Sequence, residues 1–171
     1  MMDLDLLLKS RDARAAHQKE LLGLYPGTSL VCLTVQLPGP VKRDIHSLLV
    51  GGAGLEALLN LYGSVLRHVQ VRDLETGYEA YLLVPLPAPM VKRQCCRIED
   101  THPLGRLMDV DVLSSEGPVS RESLGIAPRK CLLCDREVRY CMRARTHTLA
   151  ELLERIHTMT SEYLKNSPYQ A

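Results

Sequence analysis

Along residues 3–22, Leu4, Leu7, Leu8, Ala15, Leu21 and Leu22 recur at roughly helical spacing, with Arg11, Arg14 and Lys19 at polar positions. That pattern predicts a helix. The turn YPGT (25–28) ends it, and SLVCLTVQL (29–37), apolar and β-branched, predicts a buried strand. PGPVK (38–42) breaks the strand. Residues 44–62 carry a second helical set, Ile45, Leu48, Leu49, Leu55, Leu58, Leu59 and Tyr62, weakened by Gly51, Gly52 and Gly54. VLRHVQVRD and YEAYLLVPL, joined by LETG, predict a hairpin. After the stiff PLPAP (85–89), VKRQCCRIE (91–99) reads as another strand, and 106–113 as one more. Residues 114–130 read as loop, and 136–145 and 148–166 as two helices. Thr148 and Glu151 form a capping box at the start of the last. Alternating helices and strands imply an α/β or α+β fold, and the hairpin argues for a mixed β-sheet flanked by helices. The 171 residues suit a single domain, 1–171, with a Cys/His-containing helical part at 129–166.

The segment HPLGRLMDVDVLSSEG (102–117) carries two aspartates in a strand-like apolar run. Alternate side chains on a strand face opposite ways. Leu107, Asp109, Asp111 and Leu113 therefore share one face, and Met108, Val110 and Val112 share the other, which reads as core. The Cα atoms of Asp109 and Asp111 are then roughly 6.5–7 Å apart, and like charges that close repel unless a cation sits before them. Mg²⁺ prefers oxygen ligands and is commonly held by one or two carboxylates plus substrate phosphates. Glu99 can supply a third carboxylate, Arg106 precedes the pair, and Gly105 gives the backbone room. A solvent-facing edge strand with hydrated aspartates would show the same motif.

CLLCDREVRYCMRARTH places Cys131, Cys134, Cys141 and His147 at spacings x2, x6 and x5. Three thiolates and an imidazole make a tetrahedral zinc set, here a structural clamp on the C-terminal helices. Buried reduced thiols beside an exposed histidine are the alternative. Arg136, Arg139 and Arg143 recur on one helix face, with Arg129, Lys130 and Arg145 nearby. They suit phosphates or an acidic protein partner, and equally a solvated face. Lys42, in the rigid PGPVKR loop, suits a phosphate contact. The GGAG stretch (51–54) lacks a P-loop's Lys-Ser/Thr, so close helix packing is its expected role. His102, seven residues before Asp109, is a candidate for phosphate contact or proton transfer.

Net charge is +1, and the aromatics are seven Tyr with no Trp or Phe. Neither nucleic acid nor a membrane is the expected partner. No apolar run of membrane-spanning length stands out, the acidic start is unlike a signal peptide, and six Cys read as reduced in a cytoplasm.

Four stretches together, LLLKSRDAR, LVCLTVQLPGPVK, HPLGRLMDVDVL and APRKCLLCDREVRYCMRARTH, resemble the apo-citrate lyase phosphoribosyl-dephospho-CoA transferases, the CitX family. The resemblance spans nearly the whole chain. It implies a nucleotidyltransferase-like fold and transfer of a phosphoribosyl-dephospho-CoA group from 2′-(5″-triphosphoribosyl)-3′-dephospho-CoA to a serine of the citrate lyase acyl carrier (gamma) subunit, with release of pyrophosphate. On that reading Asp109 and Asp111 hold Mg²⁺ and one accepts the serine proton. Arg106 and Lys42 neutralise the triphosphate, Glu99 and His102 support the site, and Gly105, Arg129 and Lys130 belong to its substrate-binding surroundings. Cys131, Cys134, Cys141 and His147 hold a structural Zn²⁺. Two further readings stay open: a nucleotidyltransferase for another carrier, such as that of malonate decarboxylase, and a non-catalytic zinc-stabilised interaction module.

Overall fold

The computed structural model describes residues 4–167, apart from the side chains of Leu4 and Leu7. The expected helix start at residue 3 and those two side chains lie outside the described part. The chain runs α1 (Leu4–Leu24), β1 (Ser29–Val35), α2 (Ile45–Tyr62), β2 (His68–Leu74), β3 (Gly77–Val84), α3 (Ala88–Thr101), β4 (Met108–Ser114), β5 (Gly117–Val119), α4 (Val138–Ala144) and α5 (Leu149–Asn166). Single turns of 3-10 helix at Gly105–Leu107 and Glu122–Leu124 flank the β4–β5 hairpin. The strands form one sheet in the order β2-β3-β1-β4-β5. The α+β class expected from the pattern is what folds. Every ladder is antiparallel, so the sheet is not mixed. The reason lies in the strand order: α2 carries the chain from β1 to β2 and α3 from β3 to β4, and each of these pairs runs in the same direction but is separated by one antiparallel strand, so no two parallel strands are neighbours.

VKRQCCRIE is helix, not strand. It is the body of α3, with Pro89 in its first turn, where a missing N–H costs nothing. Its buried residues, Ala88, Val91, Lys92, Cys95, Cys96 and Glu99, follow the 3–4 spacing of one helix face. The two charged residues at inward positions hide that spacing in the sequence. Leu107 also departs from expectation: it belongs to the turn before β4 and is buried in the main core rather than sharing the aspartate face. The expected loop 114–130 contains the short strand β5.

The sheet has two unlike faces. Val31, Leu33, Ala80, Leu82, Val84, Met108, Val110 and Val112 face α2, α3 and α5 and make the main core. The opposite face carries Leu30, Cys32, Tyr81 and Leu83, covered by Leu21 at the end of α1. The rest of α1 is held by polar contacts: Arg14 Nε donates to Glu79 Oε1 at 2.8 Å, and His17 Nε2 lies 2.6 Å from Gln70 Oε1. Asp44 and Ser47 form a capping box at the start of α2, and Thr148 and Glu151 form the expected one on α5. By length and composition α2 meets the test for a membrane-crossing helix, with a mean hydropathy of 1.2, unlike the sequence reading. Here Val50, Ala53, Leu58 and Tyr62 bury it against the sheet.

Gly51 and Gly54 of α2 serve packing, as expected, whereas a Cβ on Gly52 would meet nothing within 4 Å. A Cβ on Gly51 would sit 2.4 Å from the Tyr78 ring, and one on Gly54 2.9 Å from a Leu33 methyl. Gly51→Ala therefore lowers stability by about 1–3 kcal/mol through overpacking, although alanine is the better helix former. Urea denaturation checks it; an unchanged or raised midpoint would show that Tyr78 can move aside.

Candidate active site and Cys/His centre

β4 puts Met108, Val110 and Val112 into the core and turns Asp109 and Asp111 to the other face, as the alternation predicts. In the ladder with β1, Asp109 lies opposite Thr34 and Asp111 opposite Cys32. The turn before β4 is tight. A Cβ on Gly105 would stand 2.5 Å from the carbonyl oxygens of Ile98 and Glu99, so only glycine lets the chain pass the end of α3.

On its outer edge β4 pairs with β5 only from Val112 onward. Before that point its backbone groups still need partners, because buried N–H and C=O groups left unpaired are costly. Charged side chains supply them. Val110 N–H donates to Glu99 Oε1 at 2.9 Å, and Lys92 Nζ donates to the Val110 carbonyl at 2.7 Å. Arg129 Nη2 donates to the Met108 carbonyl at 2.6 Å. The residue between the two aspartates is thus gripped on both its polar groups. Glu99 is buried, and its Oε2 accepts from Arg121 Nη2 at 2.7 Å. Arg121 reaches Asp100 at 2.9 Å as well.

Asp109 is held on both oxygens: Gln36 Nε2 donates to Oδ2 at 2.8 Å, and Arg129 Nη1 lies 3.2 Å from Oδ1. Among the described residues Asp111 accepts no hydrogen bond. Partial desolvation, and then the Asp109 charge, push its carboxyl above the usual range. Two neighbouring carboxylates, one of them without a hydrogen-bond partner among the described residues, fit a bound cation. Lys92, Glu99, Asp109, Asp111, Arg121 and Arg129 all line one open cleft of about 720 Å³. The arrangement can receive a polyanion against its cationic wall and place a carboxylate beside it.

Other candidates lie elsewhere. The Arg106 guanidinium donates to the Cys131 carbonyl and does not line the cleft; Arg129 stands at Asp109 in its stead. His102 ends α3, where its Nδ1 accepts from Leu104 N–H at 3.0 Å and its ring packs 5.5 Å from Tyr163 of α5. That is the helical side of the sheet, and burial lowers its pKa. Lys42 donates to the Leu37 carbonyl in the loop after β1, and burial and then Arg11 lower its pKa. Lys130 is 3.8 Å from Asp135 near the cysteines. Sequence reading missed Lys92, Arg121 and Gln36. For Lys92 the signal was there: with Glu99 it occupies inward positions of α3, which shows only once 91–99 is read as helix.

The second cluster is assembled as the spacing suggests. One ligand atom each from Cys131, Cys134, Cys141 and His147 lie within 4.8 Å of one another. Cys134 Sγ and Cys141 Sγ are 3.5 Å apart. Arg145, left-handed at φ 48°, ends α4 and turns the chain so that Thr146 N–H bonds the Cys141 carbonyl and His147 returns to the sulfurs. His147 Nε2 is buried without a hydrogen-bond partner among the described residues. An orphaned imidazole nitrogen beside three thiols fits a metal of zinc type. Cys32 and Cys95 lie apart from the cluster, their thiols pushed up to about 12 by burial.

The CitX family model, described as apo-citrate lyase phosphoribosyl-dephospho-CoA transferase, matches residues 2–163. The chain belongs to the CitX family. An Escherichia coli protein named apo-citrate lyase phosphoribosyl-dephospho-CoA transferase is 36% identical over 160 residues, 91% of this chain and 87% of its own. A Vibrio cholerae protein named "Probable apo-citrate lyase phosphoribosyl-dephospho-CoA transferase" is 38% identical over 167 residues, 95% of this chain and 93% of its own. The CitX chain described here is accordingly a transferase, and its resemblance to the family extends over both clusters.

The brace on β4 makes a stability prediction. Glu99→Ala leaves Arg121, Arg129 and the Val110 N–H without their buried partner, and costs about 3–5 kcal/mol. Asp100→Ala removes only a half-exposed ion-pair partner of Arg121 and costs under about 1 kcal/mol. Equal midpoints for the two variants in urea would contradict the brace.

Proposed function

We propose that the chain transfers the phosphoribosyl-dephospho-CoA group of 2′-(5″-triphosphoribosyl)-3′-dephospho-CoA to a serine of the citrate lyase acyl carrier subunit, in the cytoplasm, and releases pyrophosphate. The observation that carries the reading is the carboxylate pair on β4, facing a cleft walled by Lys92, Arg121 and Arg129. The relatives' names, which give apo-citrate lyase and a phosphoribosyl-dephospho-CoA group, support the reading.

The serine oxygen attacks the phosphorus nearest the ribose, and the bond from that phosphorus to the bridging oxygen breaks, so that pyrophosphate departs with the electron pair. Asp111, which accepts no hydrogen bond among the described residues, is placed to take the serine proton. Asp109, fixed by Gln36 and Arg129, keeps its geometry through the step. Asp109 and Asp111 are the residues that would hold Mg²⁺, with Glu99 adding a third negative charge to the cleft. Bound there, the ion neutralises charge on the triphosphate. Arg129, Arg121 and Lys92 line the wall against which the leaving group's charge develops. Cys131, Cys134, Cys141 and His147 hold a structural zinc. It fixes the loop that begins at Arg129, since Arg106 bonds the Cys131 carbonyl and Val138 N–H bonds the Arg129 carbonyl.

Two measurements test this. Incubated with donor, Mg²⁺ and this protein, apo carrier gains the mass of the phosphoribosyl-dephospho-CoA group. With the Asp109→Asn/Asp111→Asn variant the gain falls by at least about a thousandfold, the scale of losing a principal electrostatic group. A wild-type protein that adds nothing would refute the transferase reading. Metal analysis of the purified chain finds one zinc, and the Cys134→Ser/Cys141→Ser variant finds none; a metal-free, equally stable wild type would refute the zinc centre.

A further inference from the structure

α4 has seven residues, and Cys141 is its one buried residue. At about 100° per residue, Arg139 and Arg143 lie on the side of the helix opposite Cys141, with Tyr140 and Met142 on its shoulders. Tyr140 is 54% and Met142 72% exposed. The Arg136 guanidinium lies 5.3 Å from the Tyr140 ring centroid, and Arg145 is exposed at the helix end.

None of these four arginines forms an ion pair among the described residues, whereas Arg14, Arg43, Arg121 and Arg129 all do. Residues 129–147 hold six Lys or Arg against two Asp or Glu, a net of +4 in a chain whose total is +1. A field predominantly of one sign attracts an anionic partner.

The setting selects a protein over a small anion. A site for free phosphate encloses its ligand, but these guanidinium groups stand open to solvent, on a groove of about 570 Å³ lined by Glu137, Arg139, Tyr140, Arg143 and Ala144. Exposed Tyr and Met beside Arg is the composition of protein interfaces. The groove is continuous with the active-site cleft, because Glu137 and Arg139 line both. A protein seated on α4 therefore stands at the mouth through which its serine must enter.

We infer that the outer face of α4, Arg139, Tyr140, Met142 and Arg143 with Arg136 and Arg145 at its ends, docks an acidic surface around the acceptor serine of the carrier protein. The inference rests on the transferase reading above. Charge complementarity sets encounter and orientation, and the serine is presented to Asp111 only from that seat.

The test uses Arg143→Glu/Arg145→Glu, two exposed residues that do not line the cleft. Initial rates of carrier modification are measured against carrier and against donor concentration, at about 0.05 M and about 0.3 M salt. The KM for carrier rises about tenfold or more, kcat and the KM for donor stay within about twofold, and the salt dependence of kcat/KM flattens. Arg143→Lys/Arg145→Lys retains the wild-type values. An unchanged carrier KM overturns the inference, as does a rise in donor KM, which would give the arginines to the donor's phosphates. A wild type that modifies no carrier at any concentration sinks the transferase reading, and the docking surface with it.

Discussion

The open half of the β4 edge is the constraint on which the site depends. β5 is only three residues long and leaves Met108 and Val110 with backbone groups that water does not freely reach. Another strand would satisfy them, but it would also wall off the aspartates. The fold uses Lys92, Glu99 and Arg129, which complete the edge while leaving Asp109 and Asp111 facing an open cleft. Charged groups make stronger hydrogen bonds than neutral ones, and buried charges must be paired. Glu99 answers both needs, since it accepts from a backbone N–H on one oxygen and from Arg121 on the other. The same groups that complete the strand also give the cleft its mixed charge.

This explains why α3 and the segment after β5 converge on one strand. α3 supplies Lys92 and Glu99 seven residues apart, two turns along one face. Gly105 lets the chain double back at the end of α3, so that β4 starts beside the helix that braces it. Arg121 and Arg129 come from the far side, and the Cys/His centre begins two residues after Arg129. Arg106 bonds the Cys131 carbonyl, and Cys131 N–H bonds the Arg136 carbonyl. The C-terminal part is therefore tied to the start of β4 at several points.

Much of this was legible in the residues. Strict alternation in MDVDV placed both aspartates on the non-core face, because a strand has no other way to bury Met108, Val110 and Val112 together. The CLLC knuckle with Cys141 and His147 forms a cluster because C-x2-C holds two sulfurs on one turn. The capping box of α5 and the hairpin are local chemistry and read directly. α3 did not, because Lys92 and Glu99 interrupt its apolar stripe and only their tertiary partners explain them. Arg106 and His102 show the other limit. Nearness in sequence to Asp109 suggested a shared site, but the turn at Gly105 sends His102 to the helical side and Arg106 to the cysteine loop. Arg129, 20 residues beyond Asp109, is the arginine that reaches it.

The central claim is that the β4 carboxylate pair is where donor and Mg²⁺ meet. Calorimetric titration of the triphosphate donor into wild-type protein and into the Asp109→Asn/Asp111→Asn variant, with and without Mg²⁺, tests it most directly. The account predicts donor binding that Mg²⁺ strengthens in the wild type, and a variant of unchanged thermal stability on which Mg²⁺ has no effect. Equal Mg²⁺ enhancement in both proteins would contradict it and move the metal away from β4.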